Sequence, residues 1–335
     1  MKRVAINGLG RIGRLALRCY LENKPTDVEI VALNSRRTPE DMAYYIKYDS
    51  VHGKAKFPVE AGESSLKLGD TVFPLLKEGD PSTLPWKELG VDIVLECTGA
   101  FNKREKAAAH LEAGAKRVLV SAPVGDADLT VVLGVNEGDY DPAKHFVVSN
   151  ASCTTNSIAP VTKVINDTFG IEYLMGTTIH AYTSTQLLVD APKGGGRKGR
   201  AAAVSLVPAT TGAAKAMIPL FPELNGRMDM IAVRVPVANG SLTDVVVNLS
   251  KEASVDELNS ALKKAADGYL KGILEYSEEE LVSADIIGNT HSGIVDGLST
   301  KVIQGKVAKV MVWYDNEYGY SQRMIDLAEY IARKD

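Results

Sequence analysis

Six residues near the N-terminus constrain the fold more than any other part of the chain. Gly8-Leu9-Gly10-Arg11-Ile12-Gly13 follows an apolar run, Val4 to Asn7, and opens a stretch in which Ile12, Leu15, Ala16 and Cys19 recur at i, i+3, i+4 and i+7. The run reads as a buried strand and the stretch as one face of a helix. Alone, a G-x-G-x-x-G pattern means little; between a strand and a helix it describes a dinucleotide turn. The first glycine permits the tight turn, the second lets the backbone approach a pyrophosphate, and the third lets the helix pack against the strand. The helix N-terminus then presents unpaired N–H groups to the phosphates.

The pattern continues downstream. Val28 to Leu33, Asp92–Cys97, Arg117–Val120, Thr130–Leu133 and His145–Val148 are strand-like, and Lys103–Gly114 reads as a helix between two of them. Such alternation predicts a parallel sheet covered on both faces. Past residue 150 the pattern changes. Asp229–Pro236 and Ser241–Leu249 are long strand-like runs around Asn239-Gly240, which predicts an antiparallel hairpin. Ser254 to Glu257 is a capping-box pattern, and Ser321 is a candidate cap for a last helix. The expected fold is α/β: a Rossmann-type doubly wound parallel sheet over residues 1–151, plus an α+β domain over 152–316 with a mostly antiparallel sheet.

Composition narrows the class. With 335 residues and 45% hydrophobic content the chain can bury a sizeable core. Its 38 basic and 42 acidic residues leave a net charge of −4, which gives no general attraction to nucleic acid or anionic membrane. Three cysteines are too few for a disulfide scaffold and suit a reducing compartment. No apolar run reaches the roughly 18 residues of a membrane span, and no signal-like stretch precedes Val4. The expectation is a cytoplasmic protein without metal-ligand spacing anywhere.

The end of the second strand bears on the dinucleotide. An acid about 20 residues beyond the last glycine would hold the ribose 2′-OH of NAD. Here Asn34-Ser35-Arg36-Arg37 stand instead. Arginine pairs with a 2′-phosphate that a carboxylate would repel, so the residues favour NADP or dual use.

The candidate chemistry lies further on. Ser149 to Asn156 follows a strand and precedes Ile158, Val161 and Ile165 at helical spacing, although Pro160 should kink or shorten that helix. Cys153 thus falls in a first helical turn, where the dipole lowers a thiol's pKa and favours the reactive thiolate. Cys19 on an apolar helix face and Cys97 at the end of a buried strand read as packed thiols. Among five histidines, His110 reads as a surface residue on a helix, His145 as part of a turn, and His52 and His291 as solvated. His180, at a strand end, is the candidate base, although spacing alone does not pair it with Cys153.

Together these segments resemble the phosphorylating glyceraldehyde-3-phosphate dehydrogenase family. The resemblance rests on Ile6 to Arg14, Lys47 to Gly53, Ser149 to Asn156, His180-Ala181-Tyr182-Thr183, Thr210 to Ala216, Arg234-Val235-Pro236 and Trp313 to Ser321. It spans essentially the whole chain, in order. It implies that Cys153 carries the acyl group and that His180 acts as acid and base. It implies phosphate-binding positions at Ser152, Thr154, Thr183, Lys198, Thr211, Gly212 and Arg234. Dinucleotide contacts are implied at Asn7, Gly8, Gly10, Arg11, Ile12, Ser35, Arg36, Thr98, Ser121 and Asn316. The implied reaction is reversible oxidative phosphorylation of glyceraldehyde 3-phosphate through a thioester, with inorganic phosphate as co-substrate and NAD(P) as hydride acceptor. A homotetramer is implied, with the last helix, 317–335, returning to the first domain.

Several positions depart from the family pattern. Ser35 replaces the usual acid, Ser184-Thr185 stand where Asn-Asp is common, and Gly194-Gly195-Gly196-Arg197-Lys198 replaces an arginine-bearing stretch. Pro192, which accompanies NAD use in the family, is retained and weighs against NADP. Ser157 stands where a second cysteine is common. The competing readings are an erythrose-4-phosphate dehydrogenase, a semialdehyde dehydrogenase with the same thiol logic, and a partner-binding role for the basic loop Lys193–Arg200. That loop lacks interleaved aromatics, and the chain is acidic overall.

Overall fold

The computed structural model describes residues 1–192 and 195–335. Lys193 and Gly194 of the basic loop therefore lie outside the described residues. The chain divides into two units. The first comprises residues 1–131, 136–151 and 321–335, and the second comprises 132–135 and 152–320.

The first unit is built on a nine-stranded sheet. Its order runs Leu129–Thr130, Val147–Ser149, Arg117–Val120, Ile93–Glu96, Lys2–Asn7, Val28–Asn34, Thr71–Leu76, Ser65–Leu68, Val59–Ala61. Every pairing from Leu129–Thr130 to Thr71–Leu76 is parallel, and the last two are antiparallel. Val4, Ala5, Ile6, Val94 and Leu95 are fully buried, as a sheet covered on both faces requires. The first strand sits between Val28–Asn34 and Ile93–Glu96, so the strand order reverses at its carboxyl end. That reversal leaves a crevice beyond the strand ends, the place where open α/β sheets bind ligands. The helix read over Lys103–Gly114 is two short turns, Arg104–Ala107 and Ala109–Glu112.

The second unit carries a seven-stranded sheet. Its order is Val207–Thr210, Met228–Val235, Ile171–Ala181, Ser241–Leu249, Val307–Tyr314, Gly293–Ile303, Leu274–Ser277. Four of its pairings are antiparallel and two parallel. The expected hairpin does not form. Ile171–Ala181 inserts between the two runs, pairing parallel with Met228–Val235 and antiparallel with Ser241–Leu249. The two runs have hairpin-like directions, but local turn chemistry cannot register a strand arriving from fifty residues upstream.

The helix Cys153–Phe169 packs on this sheet. Pro160 does not shorten it. Ser254 and Glu257 form the expected capping box on the helix Val255–Asp267. Ser321 is not the cap of the last helix, which spans Tyr318–Lys334. Asp315 caps it instead, its Oδ1 accepting from the N–H groups of Glu317 (2.9 Å) and Tyr318 (2.7 Å). Ser321 is buried a turn further in, where helix periodicity alone could not separate cap from core.

Candidate active site

In the first unit the glycine turn has the geometry the motif demands. Gly8 has φ +95°, and a Cβ there would lie 2.7 Å from the Thr98 backbone nitrogen. A Cβ on Gly13 would lie 2.0 Å from the Gly8 carbonyl oxygen. Only glycine permits this approach of helix to turn. Gly10 is the N-cap of the helix Arg11–Asn23 and has no side chain to cap its first N–H groups, which face outward at the helix start. Beyond them lies a cavity of about 620 Å³, lined among others by Asn7, Gly8, Gly10, Ser35, Arg36 and Thr98. This cradle suits a dinucleotide pyrophosphate at a helix N-terminus.

The remaining contacts expected in this unit are distributed unevenly. The side chain of Arg11 is committed to Asp49. Burial would raise the Asp49 pKa, but Arg11 and the N–H groups of His52 and Val51 hold its carboxyl well below the usual range. Ser35 accepts from the Arg37 N–H at 3.3 Å, while the Arg36 and Arg37 side chains are exposed at the cavity. Asp41, Glu78 and Tyr45 also line it, and no sequence motif marked them. Ser121 donates its N–H to the Glu96 carbonyl and bonds the Cys97 thiol. Burial and the Glu96 charge push that thiol up to about 12.

In the second unit the cysteine sits where the sequence placed it. The buried Ala151, at φ +54°, turns the chain before the helix. Ser152 is the N-cap, its Oγ accepting from the Thr155 N–H at 3.0 Å. The Cys153 Sγ lies 3.5 Å from His180 Nε2. His180 is carried by Ile171–Ala181, and the parallel register sets Arg234 beside it. Its Nδ1 is 2.7 Å from the Ala181 carbonyl and 2.6 Å from Arg234 Nη1. These two contacts exclude one another. Toward the carbonyl Nδ1 must donate, and toward the guanidinium it must accept. The first tautomer leaves a lone pair on Nε2 facing the thiol; the second puts a proton there.

The electrostatics correct one expectation. Burial pushes the Cys153 thiol up, and Arg234, the Thr154 hydroxyl and the nearby N–H groups only partly offset it. Burial and Arg234 together hold His180 down at about 4, against the pull of the Ala181 carbonyl. Desolvation outweighs the donors at the helix start, and both shifts favour the uncharged forms, thiol and neutral imidazole.

Tyr314, which sequence reasoning passed over, organises the floor of this cluster. Its hydroxyl bonds Thr178 (2.7 Å) and Thr154 (3.0 Å), and its ring meets His180 edge-on. The alternation Val310, Val312, Tyr314 marks it as core-facing, and a buried hydroxyl requires such partners. Arg234 Nε is buried without a partner among the described residues, a donor suited to an anion. Asn316 is buried, its Oδ1 accepting from Ser241, which also receives the Ala181 N–H. Thr183 bonds Gln186 and Thr185, Thr211 accepts from the Ala213 N–H, Gly212 precedes the short helix Ala213–Met217, and Lys198 is exposed. These four stand apart from the hydrogen bonds of the cysteine cluster.

A dinucleotide-type cradle in one unit and a cysteine–histidine pair in the other define a class of thiol-dependent oxidoreductases. Residues 2–104 match the glyceraldehyde 3-phosphate dehydrogenase NAD binding domain, and residues 152–316 match the glyceraldehyde 3-phosphate dehydrogenase C-terminal domain. The chain is 52% identical to the glyceraldehyde-3-phosphate dehydrogenase of Geobacillus stearothermophilus over 332 residues, 99% of this chain and 98% of the relative. It is 51% identical to glyceraldehyde-3-phosphate dehydrogenase 1 of Bacillus subtilis, with the same coverage. The chain belongs to the glyceraldehyde-3-phosphate dehydrogenase family.

Proposed function

We propose that the protein oxidises glyceraldehyde 3-phosphate to 1,3-bisphosphoglycerate, with a nicotinamide dinucleotide and inorganic phosphate as co-substrates. The observation that carries this reading is the Cys153–His180 contact of 3.5 Å with Arg234 behind the imidazole. The Cys153 sulfur adds to the aldehyde carbon, its proton passing to His180, and gives a thiohemiacetal. His180 then holds the proton of the hemiacetal hydroxyl as the C–H hydride leaves, so that a thioester forms on Cys153. The bound nicotinamide supplies the hydride acceptor. Phosphate attacks the thioester carbon, the acyl phosphate departs, and the thiol is restored. Splitting one oxidation into two acyl steps lowers each barrier.

Arg234 gives the anion a second role. A phosphate group that draws the guanidinium away from Nδ1 leaves Nδ1–H to donate to the Ala181 carbonyl. Nε2 is then unprotonated toward the thiol, the form a general base requires. Lys198, Ser152, Thr154, Thr183, Thr211 and Gly212 complete the proposed phosphate positions.

For the cofactor we infer use of both dinucleotides, with NADP accepted. Ser35 brings no carboxylate against a 2′-phosphate, and Arg36 and Arg37 stand exposed at the cavity. A homotetramer is supported by an apolar face on the second sheet, where Tyr173 (54% exposed), Met175 (64%) and Ile231 (52%) face outward. Among the described residues no helix is long and apolar enough to cross a membrane. Three cysteines, none of them in a disulfide, agree with a cytoplasmic location.

The test compares kcat/KM for NAD⁺ and NADP⁺ with glyceraldehyde 3-phosphate, with and without inorganic phosphate. Phosphate-dependent turnover with both dinucleotides is expected, and Cys153→Ser should abolish it. Strict NAD⁺ use would remove Arg36 from the site, and turnover only with erythrose 4-phosphate would replace the substrate.

A further inference from the structure

His110 is not the surface residue its helical setting suggested. It is 0% exposed, and beside it Glu96 is 1% exposed. Neither lines the dinucleotide cavity, and the proposed reaction uses neither. A carboxylate this deep is costly unless every lone pair is met, and an apolar replacement is often as stable. Its presence therefore needs a reason other than packing.

All four groups around Glu96 are donors. Oε1 accepts from the Thr98 N–H at 2.7 Å and from the Thr98 hydroxyl. Oε2 accepts from Asn7 Nδ2 at 2.5 Å and from His110 Nε2 at 3.1 Å. The His110 tautomer is set from behind, because Trp86 Nε1, which can only donate, lies 2.9 Å from Nδ1. On the other side the chain of bonds continues. Asn34 Nδ2 donates to Asn7 Oδ1 at 2.7 Å, and Asn34 Oδ1 accepts the Glu78 N–H at 3.0 Å.

The direction of every bond in this row is fixed. The Trp86 indole anchors one end, and the backbone N–H groups of Thr98 and Glu78 anchor the others. Flipping either asparagine amide would set donor against donor. The row joins two stretches of the cavity lining, Cys97, Thr98, Ala100 and Phe101 at one strand end and Asn34 to Arg37 with Glu78 and Gly79 at the other. Asn7, Asn34 and Thr98 are members of both the row and the lining.

We propose that Glu96, held in its bonding state by His110 and Trp86, is a positioning residue that sets the spacing between these two stretches of the dinucleotide cavity. It acts on cofactor affinity through Asn7, Asn34 and Thr98 and takes no part in the chemistry at Cys153. This rests on the dinucleotide reading given above.

The experiment measures NAD⁺ and NADP⁺ binding to the full-length protein by calorimetry, with kcat at saturating dinucleotide and the melting temperature recorded in parallel. The variants are His110→Leu, His110→Gln and Glu96→Gln. Gln at 110 keeps an N–H near the position of Nε2, whereas Leu leaves a Glu96 lone pair and the Trp86 N–H unmet. His110→Leu is expected to weaken dinucleotide binding about tenfold, the scale of an unsatisfied buried polar group, with kcat at saturation within about twofold. His110→Gln should recover most of the affinity. Glu96→Gln preserves volume but opposes donor to donor, so it should lose affinity and retain its fold.

Affinity equal to wild type in a folded His110→Leu or Glu96→Gln variant overturns the proposal. So does a loss of stability with affinity unchanged, or a loss that His110→Gln does not recover. Should the wild type bind neither dinucleotide, the cofactor reading itself fails, an outcome separate from the others.

Discussion

His110 and His180 are both buried, at 0% and 4% exposure, and they do opposite things. His110 Nε2 lies near both Glu96 Oε2 (3.1 Å) and Asn7 Nδ2 (3.3 Å), but the Trp86 indole donates to Nδ1 and so leaves a single tautomer, with Nε2–H toward Glu96. His180 has two incompatible partners at Nδ1, and its Nε2 meets a thiol that can give up its proton. The satisfied imidazole is a strut, whereas the contested one can change state when an anion arrives. Burial alone therefore does not separate structural from catalytic histidines. What separates them is whether the surrounding donors and acceptors admit one protonation pattern or two.

The largest expected effects test that division directly. His180→Asn removes the base and should lower kcat by about 10² to 10⁴. Arg234→Gln removes a charged donor from the anion and should cost about 10² in kcat/KM, with the phosphate KM raised. His110→Gln should leave kcat at saturating dinucleotide near wild type. An equal loss of kcat in His110→Gln and His180→Asn, measured under the same saturating conditions, would break the comparison.

Much of this was legible in the chain, and the gaps have physical causes. The glycine turn and the cysteine helix depend on local rules, so Gly8, Gly13, Ser152 and Cys153 could be placed from sequence. The Ser254 capping box is equally local. The hairpin failed because the strand Ile171–Ala181 inserts between its halves, a non-local pairing that no turn residue encodes. His110 was misread because helix periodicity gives a face but not what lies against it; here that is Trp86 and Glu96, fourteen or more residues away. The thiol's resting state was misread for a related reason. A helix N-terminus is visible in sequence, but the desolvation that outweighs it is not.

A smaller effect concerns the thiols. Cys153 is raised above the ordinary value of 9.0, so its thiolate grows in slowly as pH rises. Alkylation of the anion-free protein by iodoacetamide should still be climbing at pH 9 and should show no inflection near the ordinary histidine value of 6.5, because His180 titrates at about 4. Arg234 favours the thiolate, so Arg234→Gln should move the climb to higher pH. Cys97, held up at about 12, and the buried Cys19 should stay unlabelled in the native protein. Mass spectrometry should then find one adduct natively and three after denaturation. An inflection near 6.5 that His180→Asn removes would mean that the contested histidine titrates normally.

The smallest effects come from two helix caps that look alike. Ser152 caps the cysteine helix by accepting from the Thr155 N–H at 3.0 Å, and Ser254 caps Val255–Asp267 by accepting from the Glu257 N–H at 3.2 Å. Replacing either with alanine should cost about 1 kcal/mol of stability, the usual worth of such a cap. They differ in where the hydroxyl proton goes. The Ser254 backbone N–H closes the box by donating to Glu257 Oε2 at 2.8 Å, and the Ser254 hydroxyl donates to the same oxygen at 2.9 Å, which leaves it nothing to offer. Ser152 lies 2.8 Å from the Thr155 hydroxyl, which can act as the donor, so the Ser152 proton remains available to a phosphate oxygen. Ser152→Ala should therefore raise the phosphate KM as well as lower the melting temperature, while Ser254→Ala should change only the melting temperature. If both variants keep the wild-type phosphate KM, Ser152 is a cap alone, and the anion is held by Arg234 and the remaining hydroxyls.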